Sequence, residues 1–130
     1  MSLIVLYLAS AVTFLVLDAI MLITVMKPLF ARHIGPLMLD DIRLTAAAAF
    51  YLAYVAGMVY LVGAPALRDG TSVLIPAAIL GAMAYGTYEF TSYAIMRDWH
   101  PSMVAADVTW GAVLTAVSAW VGVAAARAVG

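Results

Sequence analysis

Four runs of about twenty apolar residues, each bounded by charge or proline, constrain this chain more than anything else in it. A hydrocarbon core about 30 Å thick takes about 20 mainly apolar residues per crossing helix. Runs of that length cover residues 3–26, 44–63, 73–96 and 103–126. The first stops at Lys27-Pro28 and the second before Pro65; the third lies between Arg68-Asp69-Gly70 and Arg97-Asp98, and the fourth closes at Arg127. All five prolines, at 28, 36, 65, 76 and 101, fall in connections or a first helical turn, where a missing N–H costs little. The expected fold is all-α: a four-transmembrane-helix bundle, one integral membrane domain over residues 1–130, with a short interfacial segment after helix 1.

Composition agrees. Hydrophobic residues make up 67% and charged residues 10% of the chain, against about half and about a quarter in a soluble domain. Six Lys plus Arg against seven Asp plus Glu leave no basic stripe, which excludes nucleic-acid binding. With no cysteine there is no disulfide, thiolate nucleophile or Cys-ligated metal. The first run has no Lys or Arg before it and is too long for a signal-peptide core, so it reads as a retained helix.

Helices 1 and 3 would run from one membrane face (face A) to the other (face B). Face B then carries Lys27, Arg32, Arg43 and Arg97, and face A carries Arg68, Arg127 and the N-terminus. The excess of positive charge makes face B the cytoplasmic side. Between residues 27 and 43, Leu29, Phe30, Ile34, Leu37 and Met38 suit a short amphipathic turn on the bilayer surface, interrupted by Gly35-Pro36. Two pseudo-repeated hairpins are also suggested: Asp18 and Glu89 sit late in helices 1 and 3, and Asp41 and Asp107 open helices 2 and 4.

The informative residues are acids inside apolar helices. At 1.5 Å per residue, Asp18 lies about 22 Å and Glu89 about 24 Å from the starts of their helices, and Asp107 about 6 Å from the start of its oppositely directed one. Three carboxylates thus reach one depth just below face B, joined there by Tyr51, Tyr54, Tyr85, Tyr88, Ser92 and Trp110. No Lys or Arg lies within a span to pair with them, and an unpaired carboxylate in hydrocarbon is costly. Either they face an interior or wet cavity, or they are protonated and hydrogen-bonded.

Two readings stand for Asp18 and Glu89: a functional site, or interhelical hydrogen-bonding glue. Asp107 has a third, capping the start of helix 4. Tyr85, one turn from Glu89, is its expected partner, whereas Trp99 belongs by default to an interfacial aromatic belt. Small-residue seams, Ala78, Ala82 and Gly86 on helix 3 and Gly111, Thr115, Ser118, Gly122 and Ala126 on helix 4, suit close helix packing. His33 and His100, in separate face B loops, lack metal-site spacing, and no nucleophile, phosphate-loop or cofactor motif is present. No metal, cofactor or catalytic residue is therefore assigned.

The segments LVLDAIML, FYLAYVAGMVY, AYGTYEFTSYAIMRDW and DVTWGAVLTAVSAW resemble the bacterial membrane proteins grouped as domain-of-unknown-function family 2177. The likeness runs from about Leu8 to about Gly122, with matching positions at Asp18, Tyr51, Tyr88, Thr91, Trp99, Asp107, Trp110 and Gly111. It implies four transmembrane helices in a bacterial inner membrane, and no activity. Where similar proteins carry Asp-Leu-Thr-Asn this chain has Glu89-Phe90-Thr91-Ser92, keeping the acid and losing the amide.

The leading functional expectation is an acid- and tyrosine-lined pocket near face B, formed by Asp18, Glu89, Asp107, Tyr51, Tyr54, Tyr85, Tyr88, Ser92 and Trp110. It would bind or carry a cation, a proton or a lipid-like molecule. The alternatives are an accessory subunit of a larger membrane complex and a membrane enzyme acting on a lipid or isoprenoid. Expected partners are membrane lipids and either further copies of the chain or other subunits.

Overall fold

A computed structural model describes residues 1–130 as helices joined by short connections, with no strands. Helix α1 runs through Ser2–Met21, a π-helical turn Leu22–Met26 and Lys27–Ile34, ending in a 3-10 turn Gly35–Leu37. Helix α2 repeats that plan: Leu44–Met58, a π turn Val59–Gly63, then Ala64–Asp69. Helix α3 is Leu74–Ile95 and α4 is Pro101–Val129.

Two expected helix stops are therefore corrected, since neither Lys27-Pro28 nor Pro65 ends its helix. A proline inside a helix has no N–H to donate, and its ring collides with the carbonyl four residues back. In both helices the turn just before the proline is π-helical, and its wider hydrogen-bonded ring relieves that collision. The segment read as a separate interfacial turn is thus the extension of α1, and Gly35-Pro36 ends it as anticipated. Gly70, at φ 68, takes the left-handed conformation that stops α2 and turns the chain toward α3.

Burial runs opposite to that of a soluble bundle. On α1, Leu8, Val12, Val16 and Ile20 form an outward stripe 53–61% exposed, while Leu6, Ser10, Phe14 and Asp18 form the inward one. Ser10, Asp18, Glu89, Asp107, Thr115 and Ser118 are all buried. Apolar outside and polar within is the pattern of a helix bundle solvated by lipid.

Helix α4 is the axis of the bundle, packed along both α1 and α3. On α3 the buried face is Ala77, Gly81 and Glu89, continued by Val73 just before the helix, and it is one residue out of step with the anticipated Ala78, Ala82 and Gly86. The seam on α4 is as expected, with Gly111, Thr115, Ser118, Gly122 and Ala126 buried. Helix α2 is more peripheral, held by Val55, Met58 and Ala66 and by side-chain ties. The Tyr7 hydroxyl donates to the Leu52 carbonyl at 3.0 Å, and the Tyr54 and Thr115 hydroxyls share a bond of 2.9 Å.

Three helical stretches, Ser2–Leu37, Leu44–Asp69 and Pro101–Val129, are long and apolar enough to cross a membrane, where four were expected. Helix α3 has the length, 22 residues, but its second half carries Tyr85, Thr87, Tyr88, Glu89, Thr91, Ser92 and Tyr93. Nor are the two hairpins equivalent: Asp41 is exposed in a connection, whereas Asp107 is buried in the second turn of α4.

Candidate functional site

Asp18 and Asp107 come from different helices and open onto the same cavity, about 230 Å³ in volume, at the face B end of the bundle. Both are nearly buried, 7% and 5% exposed, and each is held by one aromatic donor. The Trp110 indole N–H donates to Asp18 Oδ1 at 3.0 Å. The Tyr88 hydroxyl donates to Asp107 Oδ2. Tyr51, Tyr85 and Tyr88 complete the aromatic wall. Tyr85 reaches it because α4 offers no side chain at Gly111; a Cβ there would overlap the Tyr85 ring.

Of the nine residues singled out in the sequence, five line this cavity: Asp18, Asp107, Tyr51, Tyr85 and Tyr88. Trp110 stands behind Asp18 as its donor. Tyr54 instead ties α2 to α4 through Thr115 and packs against Phe14, ring centroids 5.5 Å apart. Ser92 is half-buried on α3 and does not line the cavity. Asp107 does not cap α4, because the helix begins at Pro101 and the cap is His100, whose Nδ1 accepts from Ser102 N–H at 3.1 Å.

Glu89 is fully buried, apart from the cavity, and its partner is not Tyr85. The Trp99 indole N–H donates to Glu89 Oε1 at 2.9 Å, while Glu89 Oε2 and the Tyr85 hydroxyl have no partner. Trp99 is therefore no mere belt residue. Its ring also meets Phe30 edge-on at 5.4 Å, and His33 stacks on His100 at 4.2 Å. Leu29 and Ile34 join Met103 in a small apolar cluster, so these contacts dock the extension of α1 on the α3–α4 connection.

Trp99→Phe is expected to cost about 1–3 kcal/mol, because it removes the one donor to a buried carboxyl. Glu89→Met added to that background should recover most of the loss. A chemical-unfolding series in detergent micelles tests this, and equal losses in the single and double variants would show that the indole acts by packing alone.

The extension of α1 and the connection after it supply cavity walls that the sequence reading did not assign to the pocket: Phe30 and Met38, expected on the bilayer surface, and Lys27 and Asp40. Lys27 reaches the rim only because the helix continues past it, and Asp40 only because Gly35-Pro36 folds the chain back. Their signal in the sequence was confined to proximity to Asp18 across an unexpected stretch of helix. No ion pair forms among the cavity's charges; the chain's one salt bridge is Arg68–Asp69, exposed at the other end. The cavity thus joins an apolar wall to Asp18 and Asp107, which form no ion pair, with Lys27 and Asp40 also in its lining.

The sequence matches, over residues 3–124, the family described as "Predicted membrane protein (DUF2177)". No curated relative and no solved structure matches it.

Proposed function

The chain belongs to the DUF2177 family of predicted membrane proteins, and on that footing we propose that it binds a small, positively charged, partly apolar molecule in the Asp18–Asp107 cavity. The observation that carries this reading is the pair of nearly buried aspartates opening onto one space with no ion-pair partner. Uncompensated carboxylates at membrane depth are costly, and a cationic guest relieves that cost. The rings of Tyr51, Tyr85, Tyr88 and Phe30 offer faces that attract a cation. Ten of the fourteen lining residues are hydrophobic, which favours an organic ammonium over a bare metal ion. At about 230 Å³ the space falls below the roughly 300–1,000 Å³ of sites for drug-sized ligands, so the guest is small.

In this reading α3 is the fourth crossing helix: from its polar half Tyr85 and Tyr88 line the cavity and Glu89 is buried, while the outward Thr87 and Thr91 return their hydroxyls to the Met83 and Thr87 carbonyls. The cavity opens toward the side bearing Lys27, Arg32, Arg43 and Arg97, the cytoplasmic side of a bacterial inner membrane.

Calorimetric titration of the protein in nanodiscs with choline, and separately with its neutral isostere 3,3-dimethylbutanol, tests the reading. Choline is expected to bind and the alcohol not to. Equal binding of both would remove charge as the recognised feature, and no heat from choline with folded protein would overturn the proposal.

A further inference from the structure

At the opposite end of the bundle a second cavity, about 270 Å³, lies between the last turns of α4 and the α2–α3 connection. Trp120, Ala124 and Arg127 line it from α4, and Thr71 and Ser72 from the connection. Arg127 Nη2 donates to the Ala66 carbonyl at 3.1 Å and to the Thr71 carbonyl at 3.0 Å. Those two bonds fix the guanidinium at the cavity and leave Nε and Nη1 without protein acceptors. Its charge has no carboxylate partner either, because Asp69 is taken by Arg68.

Depth says what kind of anion suits it. Helix α4 has 29 residues, about 44 Å of helix, against a hydrocarbon core of about 30 Å. Its final turns therefore stand at headgroup level, with Arg127 among them. Trp120, seven residues earlier, lies about 10 Å deeper along the helix and is 55% exposed on the outside of the bundle. From Arg127 inward the cavity wall passes through Ala124 and Val123 to Trp120, positive at the top and apolar below.

We propose that this cavity is a phospholipid site, in which Arg127, Thr71 and Ser72 hold the headgroup phosphate and Trp120, Ala124 and Val123 seat the upper acyl chain. A guanidinium with free N–H groups binds phosphate through strong, charge-assisted hydrogen bonds. A free phosphate ion would use the polar half alone and leave the apolar wall idle. The site is separate from the Asp18–Asp107 cavity and does not depend on what binds there.

Native mass spectrometry of the protein released from nanodiscs of phosphatidylglycerol and phosphatidylethanolamine tests it. The wild-type protein is expected to retain one phospholipid, displaced by dihexanoylphosphatidylglycerol and not by an equal concentration of inorganic phosphate. Arg127→Gln should lower its occupancy about tenfold, the loss expected for charge-assisted hydrogen bonds. Ala124→Leu fills the wall while keeping both Arg127 bonds, so it reads the site even where Arg127→Gln weakens the fold; it too should lose the lipid. Asp18→Asn should leave retention unchanged. No retained lipid, or full occupancy in Ala124→Leu, would make Arg127 a structural tie only. Displacement by inorganic phosphate as readily as by the short-chain lipid would overturn the lipid assignment.

Discussion

Gly81→Ala is expected to destabilise the bundle by about 3 kcal/mol or more, at the upper end of what one added methyl group does. A Cβ built on Gly81 would overlap the Gly111 carbonyl oxygen and stand 2.7 Å from Thr115 Oγ1 and 2.8 Å from the Gly111 carbonyl carbon. The obstacle is mainly backbone, so no rotamer change relieves it and α3 must move away from α4. That separation would also withdraw Tyr85 and Tyr88 from Asp107, linking packing at Gly81 to the geometry of the cavity. Gly86→Ala supplies the contrast: a Cβ there meets only the Phe90 ring at 3.8 Å, ordinary contact, and alanine is the better helix former by about 0.5–1 kcal/mol. Unfolding of both variants by sodium dodecyl sulfate in mixed micelles should show a large loss for Gly81→Ala and none for Gly86→Ala. Equal losses would mean that the contact face of α3 is not the one through Ala77, Gly81 and Glu89.

That contrast also marks where reading the sequence stops. The α3 seam was expected at Ala78, Ala82 and Gly86, because small residues recur there as regularly as at Ala77 and Gly81. Which stripe meets α4 is settled by tertiary packing, above all by Gly111 and the Tyr85 ring. The helices themselves were legible, since apolar runs bounded by charge have one economical solution in lipid. Their ends at Pro28 and Pro65 were not, because a π turn before each proline removes the conflict that the sequence rule assumes. Azimuth was not legible: of the three acids expected at one depth, only Asp18 and Asp107 share a cavity, and Glu89 turns to Trp99. That partner sits in a connection whose path depends on the cap at His100 and on Phe30, which a hydropathy pattern does not encode. Asp40 and Met38 were hidden for the same reason, brought to the cavity by a reversal at Gly35-Pro36.

The double substitution Asp18→Asn, Asp107→Asn separates a binding site from structural glue, because the two roles give stability changes of opposite sign. Each asparagine keeps an oxygen where the carboxylate had one, so Trp110 Nε1 and the Tyr88 hydroxyl retain acceptors at Asp18 and Asp107. What disappears is the acidic character of two carboxyl groups that form no ion pair with Lys or Arg. A charge pair at about 4 Å is worth about 4 kcal/mol at an effective dielectric constant near 20. Allowing for desolvation of the guest, losing both carboxylates should weaken choline binding by about 2–3 kcal/mol, roughly a hundredfold. The guest-free protein should become equally or more stable, since replacing uncompensated buried charge by a neutral group of the same shape removes a cost. Sites that bind charge commonly give up stability in this way. Were the aspartates glue, the same substitution would exchange two charge-assisted hydrogen bonds for weaker neutral ones and lower the unfolding midpoint, and choline, with no site to lose, would bind neither protein. Calorimetry and detergent unfolding on one pair of proteins thus read two quantities: affinity falling while stability holds or rises supports the pocket, and stability falling with no affinity to lose refutes it.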